Sequence, residues 1–533
     1  MNARVDRDVD DAQRLPMAAA ETQQEEETVD ESADALRFTA REITLGGSSA
    51  VAFADLRPVI AGYENREITM SDLKRLSVEL EEEYRKRGFV LIDVYVPEQT
   101  IEDGRVRLEV VEGIIGNILV QGAQFFKGDR VLSYSKVKEG EVLQYERLKK
   151  TLRALNKNPD RQVKAVFKKG EKPGTTDVIL NVRDRSPFHV GFLMDNRGSR
   201  TTGSERYGLN VRHNNVLGRD DVLMAGTVFG KDFGAFYSRY LFPIAGWNGR
   251  FYGGYSLAQA APKNQLVQFN INSLSEIFTG GYQGTLFETD KLALNYELEA
   301  EVKESYTHVG PDVFRKDQLR MLHLRPELRL QGGAPGFSTR LENEFTLGLD
   351  EFGAEVMVDP SAVRQGVEPE FFRYRATLTH HRPVTQNTRL RVQLTGQIPS
   401  DKLPPQEQFF MGGASSVRGY PEGDYLADGG VGVNVEYYMP VYWIPQRFEL
   451  PMAGVPLWKQ IEVYGFFDDA YGRVRGATPF EVESRNLAGA GFGILARMYQ
   501  DLYAKVEVAF AVGADPLTES RRERIHFGLQ AEF

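Results

Sequence analysis

Residues 524–533, Arg524-Ile525-His526-Phe527-Gly528-Leu529-Gln530-Ala531-Glu532-Phe533, decide the fold. Successive side chains of a strand point to opposite faces. Ile525, Phe527, Leu529, Ala531 and Phe533 therefore share one face, and Arg524, His526, Gly528, Gln530 and Glu532 share the other. Residues 502–512 repeat the pattern, with Leu502, Ala504, Val506, Val508, Phe510 and Val512 opposed by Tyr503, Lys505 and Glu507. Segments of this kind, each about 9–12 residues long, are the length a tilted membrane strand needs. Sixteen begin near 188, 206, 221, 233, 249, 275, 291, 320, 338, 371, 387, 430, 461, 487, 502 and 524. A soluble sandwich also alternates, but it has no need of sixteen consecutive strands without a helix between them. The expected class is β-rich, with a 16-stranded antiparallel transmembrane β-barrel over residues 187–533. Closure pairs every backbone group within lipid.

Connection lengths agree. If the first barrel strand rises from the inner side, the long connections 260–274, 304–319, 351–370, 398–429 and 513–523 all fall outside. Inner turns such as Lys231–Asp232 and Gln500–Asp501 are short, the asymmetry of outer-membrane barrels. The 440–460 connection, with Trp443, Pro445, Pro451 and Pro456, is long for an inner turn.

Composition is compatible with this. No run of 18 apolar residues exists, so a helical span is excluded, while 51 glycines, 32 Phe and 23 Tyr suit curved strands and interfacial girdles. The absence of cysteine removes disulfides, thiol nucleophiles and Cys-based metal sites. The net charge of −10 resides mainly in residues 1–36, which hold eleven acids and three arginines. That segment reads as a solvated, disordered tail, Gln23 to Glu27 being its most polar run. A short helix entering a pore is the functional alternative. No basic and apolar signal-peptide pattern opens the sequence. The rest is nearly neutral, so nucleic acid is not an expected partner.

Between tail and barrel, one pattern occurs twice. In residues 37–112 it comprises a strand over Phe38–Leu45, a short helix near Phe53–Ile60, and a longer helix. Thr69 caps that helix with Asp72 three residues on, and Leu73, Leu76, Leu80 and Tyr84 are spaced along one face. Strands Phe89–Val96 and Arg105–Val111 complete the unit. Residues 113–186 repeat the order, with Ile114–Val120, a turn of helix near Asp129–Tyr134, a helix around Glu146–Leu155, and strands Gln162–Phe167 and Asp177–Val182. Pro159, Gly170 and Gly174 stop a helix and turn a hairpin. An unpaired edge of such a small sheet can accept an extended segment by β-augmentation.

The β-α-α-β-β order, twice, resembles POTRA domains. Asn156 and Pro159, followed by Gly170, Gly174 and Asp177, resemble the second POTRA domain of the transporters of two-partner secretion. The loop 398–429 carries Val417-Arg418-Gly419-Tyr420 and, with its Gly412-Gly413 pair, is far longer than a hairpin requires. In this setting the motif is similar to the family's in-folding loop, whose arginine meets an aromatic, a carboxylate and a small residue on the barrel wall. Phe466, Asp468 and Ala470 match that wall motif, with alanine where the family often has glycine. The resemblance implies a C-terminal barrel-insertion signal in Phe527, Leu529 and Phe533. It further implies outer-membrane lipid and the barrel-assembly machinery as partners, periplasmic POTRA domains, and an unfolded secreted exoprotein threaded through the barrel. A barrel-insertion factor is the alternative, and a passive porin a third.

Strand alternation places Glu462, Tyr464, Phe466 and Asp468 on one face. Arginine's planar fork can pair bidentately with Asp468, with Phe466 and Tyr464 flanking the guanidinium. In a partly wet lumen such a pair is worth on the order of 1–3 kcal/mol. Other constellations carry no chemistry. Asp468 and Asp469 point to opposite faces, so they cannot act on one bond. His380 and His381 lack a ligand spacing and a third donor, so no metal or cofactor is expected. No nucleophile elbow, P-loop or dinucleotide fingerprint occurs, and no enzyme is expected.

Overall fold

The computed structural model describes residues 37–199, 201–244, 249–262, 269–332, 336–445, 448, 456–498 and 501–533. The acidic segment 1–36 lies outside the described residues. Two compact units divide the described chain, one through Pro187 and one from Phe188 onward.

From Phe188–Asp195 to Glu523–Glu532, sixteen long antiparallel strands pair in sequence order and close into a barrel. The final strand returns to the first, with Gly528↔Asp195 through Glu532↔Gly191 in register. Phe533 and Val190 exchange both backbone hydrogen bonds at 2.9 Å. A seventeenth strand, Glu355–Val358, has four residues and pairs with Arg315–Gln318 beyond the end of its neighbour.

The barrel is inside-out relative to a soluble protein. Ile525, Phe492, Ile494, Val506 and Phe510 are exposed, whereas Asp195, Lys303, Arg373, Asp468, Glu507 and His526 are buried. Only a solvent of hydrocarbon makes the apolar face the outer one, which is the distribution a lipid-facing barrel requires. Tyr207, Phe229, Phe242 and Phe251 belong to the same outward face, in ring contacts between adjacent strands.

One expected connection is not a loop. Residues 304–319 belong to the strands Leu292–Val309 and Asp312–Gln331, which pair up to a turn at Gly310 with one shift of register, between Thr307 and His308. Several charged residues there and beside them have partners in the folded structure. Arg320 pairs with Glu304 at 3.0 Å, Arg315 with Asp317 at 2.7 Å and Lys303 with Glu407 at 2.6 Å. The 440–460 connection is only partly described, and it ends in a single helical turn, Leu457–Gln460.

The other unit holds two small α+β modules, each with its own core. In the first, Glu42–Gly46 runs parallel to Arg105–Glu112, which pairs antiparallel with Ile92–Tyr95. Helix Met70–Lys86 covers this sheet through Leu73, Leu76, Leu80 and Tyr84, all fully buried. Its start is a capping box, in which Thr69 and Asp72 each accept the other's backbone N–H. The strand expected over 38–45 is broken after Ala40. Phe38–Ala40 pairs instead with an additional strand, Arg66–Ile68, because Asn65 turns with φ of 57° and donates its N–H to the Ala40 carbonyl. The second module has the sheet order Ile114–Gln121, Thr175–Asp184, Arg161–Lys169, with helices Gly128–Leu132 and Tyr145–Leu155.

Candidate functional site: the loop seated on the barrel wall

The loop between Arg389–Pro399 and Gly429–Pro440 folds against the inward faces of barrel strands. Its two-stranded ribbon, Phe409–Met411 with Tyr425–Ala427, packs on Ala470, Val474 and Leu487. Gly412 and Gly413, with φ of 96° and 93°, turn the chain toward the tip. There the Glu422 carboxylate accepts the Ala414 N–H at 2.8 Å, and burial holds that carboxyl above the ordinary carboxylate range.

At the tip, Arg418 and Asp468 are 3% and 0% exposed, so the pair is more deeply buried than a partly wet lumen implies. Arg418 Nε donates to Asp468 Oδ2 and Nη2 to Oδ1, both at 2.7 Å, the side-on fork of two parallel bonds. The Arg418 backbone N–H adds a third bond to Oδ2 at 3.0 Å. The guanidinium lies 3.6 Å from the Phe466 ring centroid. Tyr464 does not flank it. That ring stacks on Tyr438 at 4.6 Å and faces Lys505 Nζ at 5.5 Å.

Two further acids were not expected at this site. Arg418 Nη1 donates to Glu436 Oε1 at 2.6 Å and to Glu507 Oε1 at 2.7 Å. Glu436 also meets Arg391 at 3.0 Å, and Glu507 meets Lys505 at 3.0 Å. One loop arginine thus joins carboxylates from three barrel strands, and the wall supplies two more cations. The alternation of residues 502–512 already turned Glu507 inward; only the closing of the sheet brings it to Arg418.

The other motif residues are held sterically. Val417 and Tyr420 are buried at 1% and 0% exposure, and the Tyr420 hydroxyl donates to the Ala514 carbonyl at 2.7 Å. Gly419 lies against the backbone of the neighbouring strand, where a Cβ would stand 2.5 Å from Ala511 N and from Phe510 C. The wall has glycines of its own. A Cβ at Gly489 would stand 3.2 Å from Val417, at Gly491 2.5 Å from Phe466, and at Gly493 2.5 Å from Tyr464. These alternate glycines form an inward groove, and their period of two was readable beforehand. Ala470, 2% exposed, joins the cluster under the loop's ribbon.

The remaining candidates lie apart from this site. Ile525, Leu529 and Phe533 are exposed on the lipid face, with Phe527 in the same alternation. Asn156 stitches a helix end to a strand, donating to the Val163 carbonyl at 3.1 Å and accepting the Val163 N–H at 2.7 Å. Pro159 follows that helix, Gly170 and Gly174 form the next hairpin, and Asp177 accepts the Asn117 N–H at 2.7 Å. Arg161, absent from the expectation, donates to the Leu155 carbonyl and lies 4.8 Å from the Phe126 ring centroid. Among the described residues, Glu299, Glu301 and His323 bring three metal-type donor atoms within 4.8 Å of one another. Arg325 already pairs with Glu299 at 2.8 Å and Lys303 with Glu301 at 3.0 Å, so these carboxylates are neutralised by side chains.

Comparisons with known proteins agree with the barrel and the first module. A model of the haemolysin secretion/activation proteins ShlB/FhaC/HecB matches residues 174–496, and a ShlB-type POTRA model matches residues 38–113. The outer membrane transporter CdiB of Dickeya dadantii strain 3937 is 25% identical over 400 residues, covering 72% of this chain and 69% of that protein. The heme/hemopexin transporter protein HuxB of Haemophilus influenzae is 22% identical over 429 residues, covering 76% of this chain and 74% of that one. The structure of CdiB from Escherichia coli aligns with a TM-score of 0.72 at 19% identity, covering 95% and 93% of the two chains, which shows a shared fold. With more than half its length matched, the chain belongs to the haemolysin secretion/activation family ShlB/FhaC/HecB: it is an outer-membrane translocator of a secreted polypeptide partner in two-partner secretion, with its POTRA domain in the periplasm.

Proposed function

We propose that the chain holds its unfolded client on the two small modules and threads it through the barrel as loop 398–429 leaves the wall. The observation that carries this reading is the seating of the loop by one arginine on three buried carboxylates. Such a cluster is a poor source of net stability, because desolvating the charges offsets much of their attraction, but it specifies one arrangement sharply. A segment held that way has a defined closed state and a defined element to release.

Residues 113–186 act as a second POTRA domain in this reading. Both modules have sheet-edge strands, Glu42–Gly46 and Ile92–Tyr95 in one, Arg161–Lys169 and Ile114–Gln121 in the other, the last bridged at Ile114 by Val142. Backbone pairing along such an edge binds extended chain with little demand on sequence. Phe527, Leu529 and Phe533 serve as the signal read by the barrel-assembly machinery, and the aromatic outer face contacts lipid. Val417, Arg418, Gly419 and Tyr420 act as the latch, with Phe466, Asp468 and Ala470 as its seat. No nucleotide-binding motif is present in the sequence, and client folding outside the cell supplies the drive.

The test is export of the cognate exoprotein into the medium, with the wild-type chain and with Arg418→Ala at equal membrane levels. Export that requires the chain and falls with Arg418→Ala supports the reading. Export that requires the chain but ignores Arg418 removes the latch from the mechanism. Many depleted membrane proteins, with export unaffected, favour an assembly factor instead.

A further inference from the structure

Besides the Arg418 cluster and an Arg364–Asp428 pair at its base, the loop has a charged contact with another arc of the barrel wall. Its short 3₁₀ turn, Pro405–Glu407, presents Glu407, which is 3% exposed. Lys303 Nζ donates to Glu407 Oε1 at 2.6 Å, and Arg373 Nη1 donates to Glu407 Oε2. The Glu407 carbonyl accepts from Gln397 Nε2 at 3.0 Å. Beside it, Gln406 Nε2 donates to Asp317 Oδ2 at 2.8 Å, and Leu403 is buried against Leu319, Met321 and Phe371. Both wall cations are anchored elsewhere too, Lys303 on Glu301 and Arg373 on Glu344 and Thr346.

Position round the ring gives the contact its meaning. Counted from Phe188–Asp195, Lys303 and Arg373 stand on the seventh and tenth of the sixteen long strands. Glu436, Asp468 and Glu507 stand on the twelfth, thirteenth and fifteenth. The first contact thus occupies an arc from the twelfth to the fifteenth strand and the second an arc from the seventh to the tenth, so the loop is tied to two separate arcs of the wall. Polarity is reversed between the ends. At Arg418 the loop brings a cation to wall carboxylates, whereas at Glu407 it brings a carboxylate to wall cations.

We propose that Glu407 is a second latch, so that the loop is a strap fastened at both ends and breaking the arginine cluster frees only one of them. This inference rests on the reading that the loop moves during transport, although the fastening itself is measurable without transport. Full clearance of the lumen requires both contacts to open.

The absence of cysteine makes the test direct. Single cysteines are placed at the exposed positions Ser415, near the Arg418 end, and Gln406, near the Glu407 end, in the full chain reconstituted in liposomes. A nitroxide at each reports local mobility by electron paramagnetic resonance. Glu407→Gln is expected to abolish the immobile component at position 406 and leave that at 415. Arg418→Ala should do the reverse, and the double variant should mobilise both. The proposal is overturned if Arg418→Ala alone mobilises both labels, or if Glu407→Gln leaves the 406 spectrum as in the parent. Heat-modifiable gel mobility checks barrel folding, and Lys303→Met approaches the same latch from the wall if Glu407→Gln does not fold. Export is scored separately. Failed export dependence refutes the transport reading, and unchanged label mobility refutes the second latch.

Discussion

Replacing Arg418 by alanine removes the counter-charge of three buried acids at once. Asp468, Glu436 and Glu507 are 0%, 4% and 1% exposed, so none can be hydrated while the loop stays seated. Arg391 still serves Glu436 and Lys505 still serves Glu507, at 3.0 Å each, but Asp468 retains only neutral donors, Asn434 Nδ2 at 2.8 Å and the backbone N–H of residue 418 at 3.0 Å. Breaking a buried pair from one side costs about 3–5 kcal/mol. Lifting the loop admits water to the acids and relieves that cost, so the seated state should lose about a hundredfold to a few thousandfold in population. Arg418→Lys keeps one charge but loses the fork and cannot reach all three carboxylates, for a loss of about 1–3 kcal/mol. The assay is the maleimide reaction rate of Val417→Cys in liposomes, since Val417 is 1% exposed when the loop is seated. With reseating faster than labelling, the rate follows the open population. Rates should rise in the order parent, Arg418→Lys, Arg418→Ala. Equal rates in all three would refute the reasoning, because the cluster would then contribute nothing to seating.

Gly419→Ala tests the steric half of the seat. Its new methyl meets backbone 2.5 Å away, where no rotamer can yield, so the Val417→Cys rate should rise with every charge intact; an unchanged rate would mean the loop sits further from the wall. In the first small module, Thr69→Ala removes one arm of the capping box and should lower the stability of fragment 37–186 by about 1 kcal/mol, read from its urea midpoint. The same fragment should respond to acid. The Arg57 hydrogen bond holds Glu64 below its ordinary range, and the Thr69 backbone N–H does the same for Asp72. Depressed folded-state values mean this stabilisation is complete above the unfolded carboxylate range, about pH 4, and is lost as pH falls through the folded values. The urea midpoint should therefore drop on acidification, less steeply in Asp72→Asn. Asn156→Ala leaves the Val163 N–H and carbonyl without their side-chain partner, which should cost about 1–3 kcal/mol in the second module's thermal unfolding.

What the sequence determined by itself follows from local geometry. Side chains alternate on a strand whatever the partner strand is, so 524–533 announced an apolar face and a polar one before any sheet existed. The same period turned Phe466 and Asp468 to one side and Asp469 to the other. Helix Met70–Lys86 was readable because its cap and its Leu73, Leu76, Leu80 spacing are properties of a single segment. Contacts between distant segments were not readable. Residues 304–319 were expected as a connection, but they continue the two strands Leu292–Val309 and Asp312–Gln331, whose pairing is a contact between segments. Glu436 and Glu507 stand 18 and 89 residues from Arg418 in the chain, so nothing local distinguishes them from other inward acids. The depth of the site was equally hidden. The tertiary structure alone decided that Arg418 meets three carboxylates in a buried cluster, and that Glu407 meets two cations on another arc of the wall, because only the closed sheet sets which strands the loop can reach.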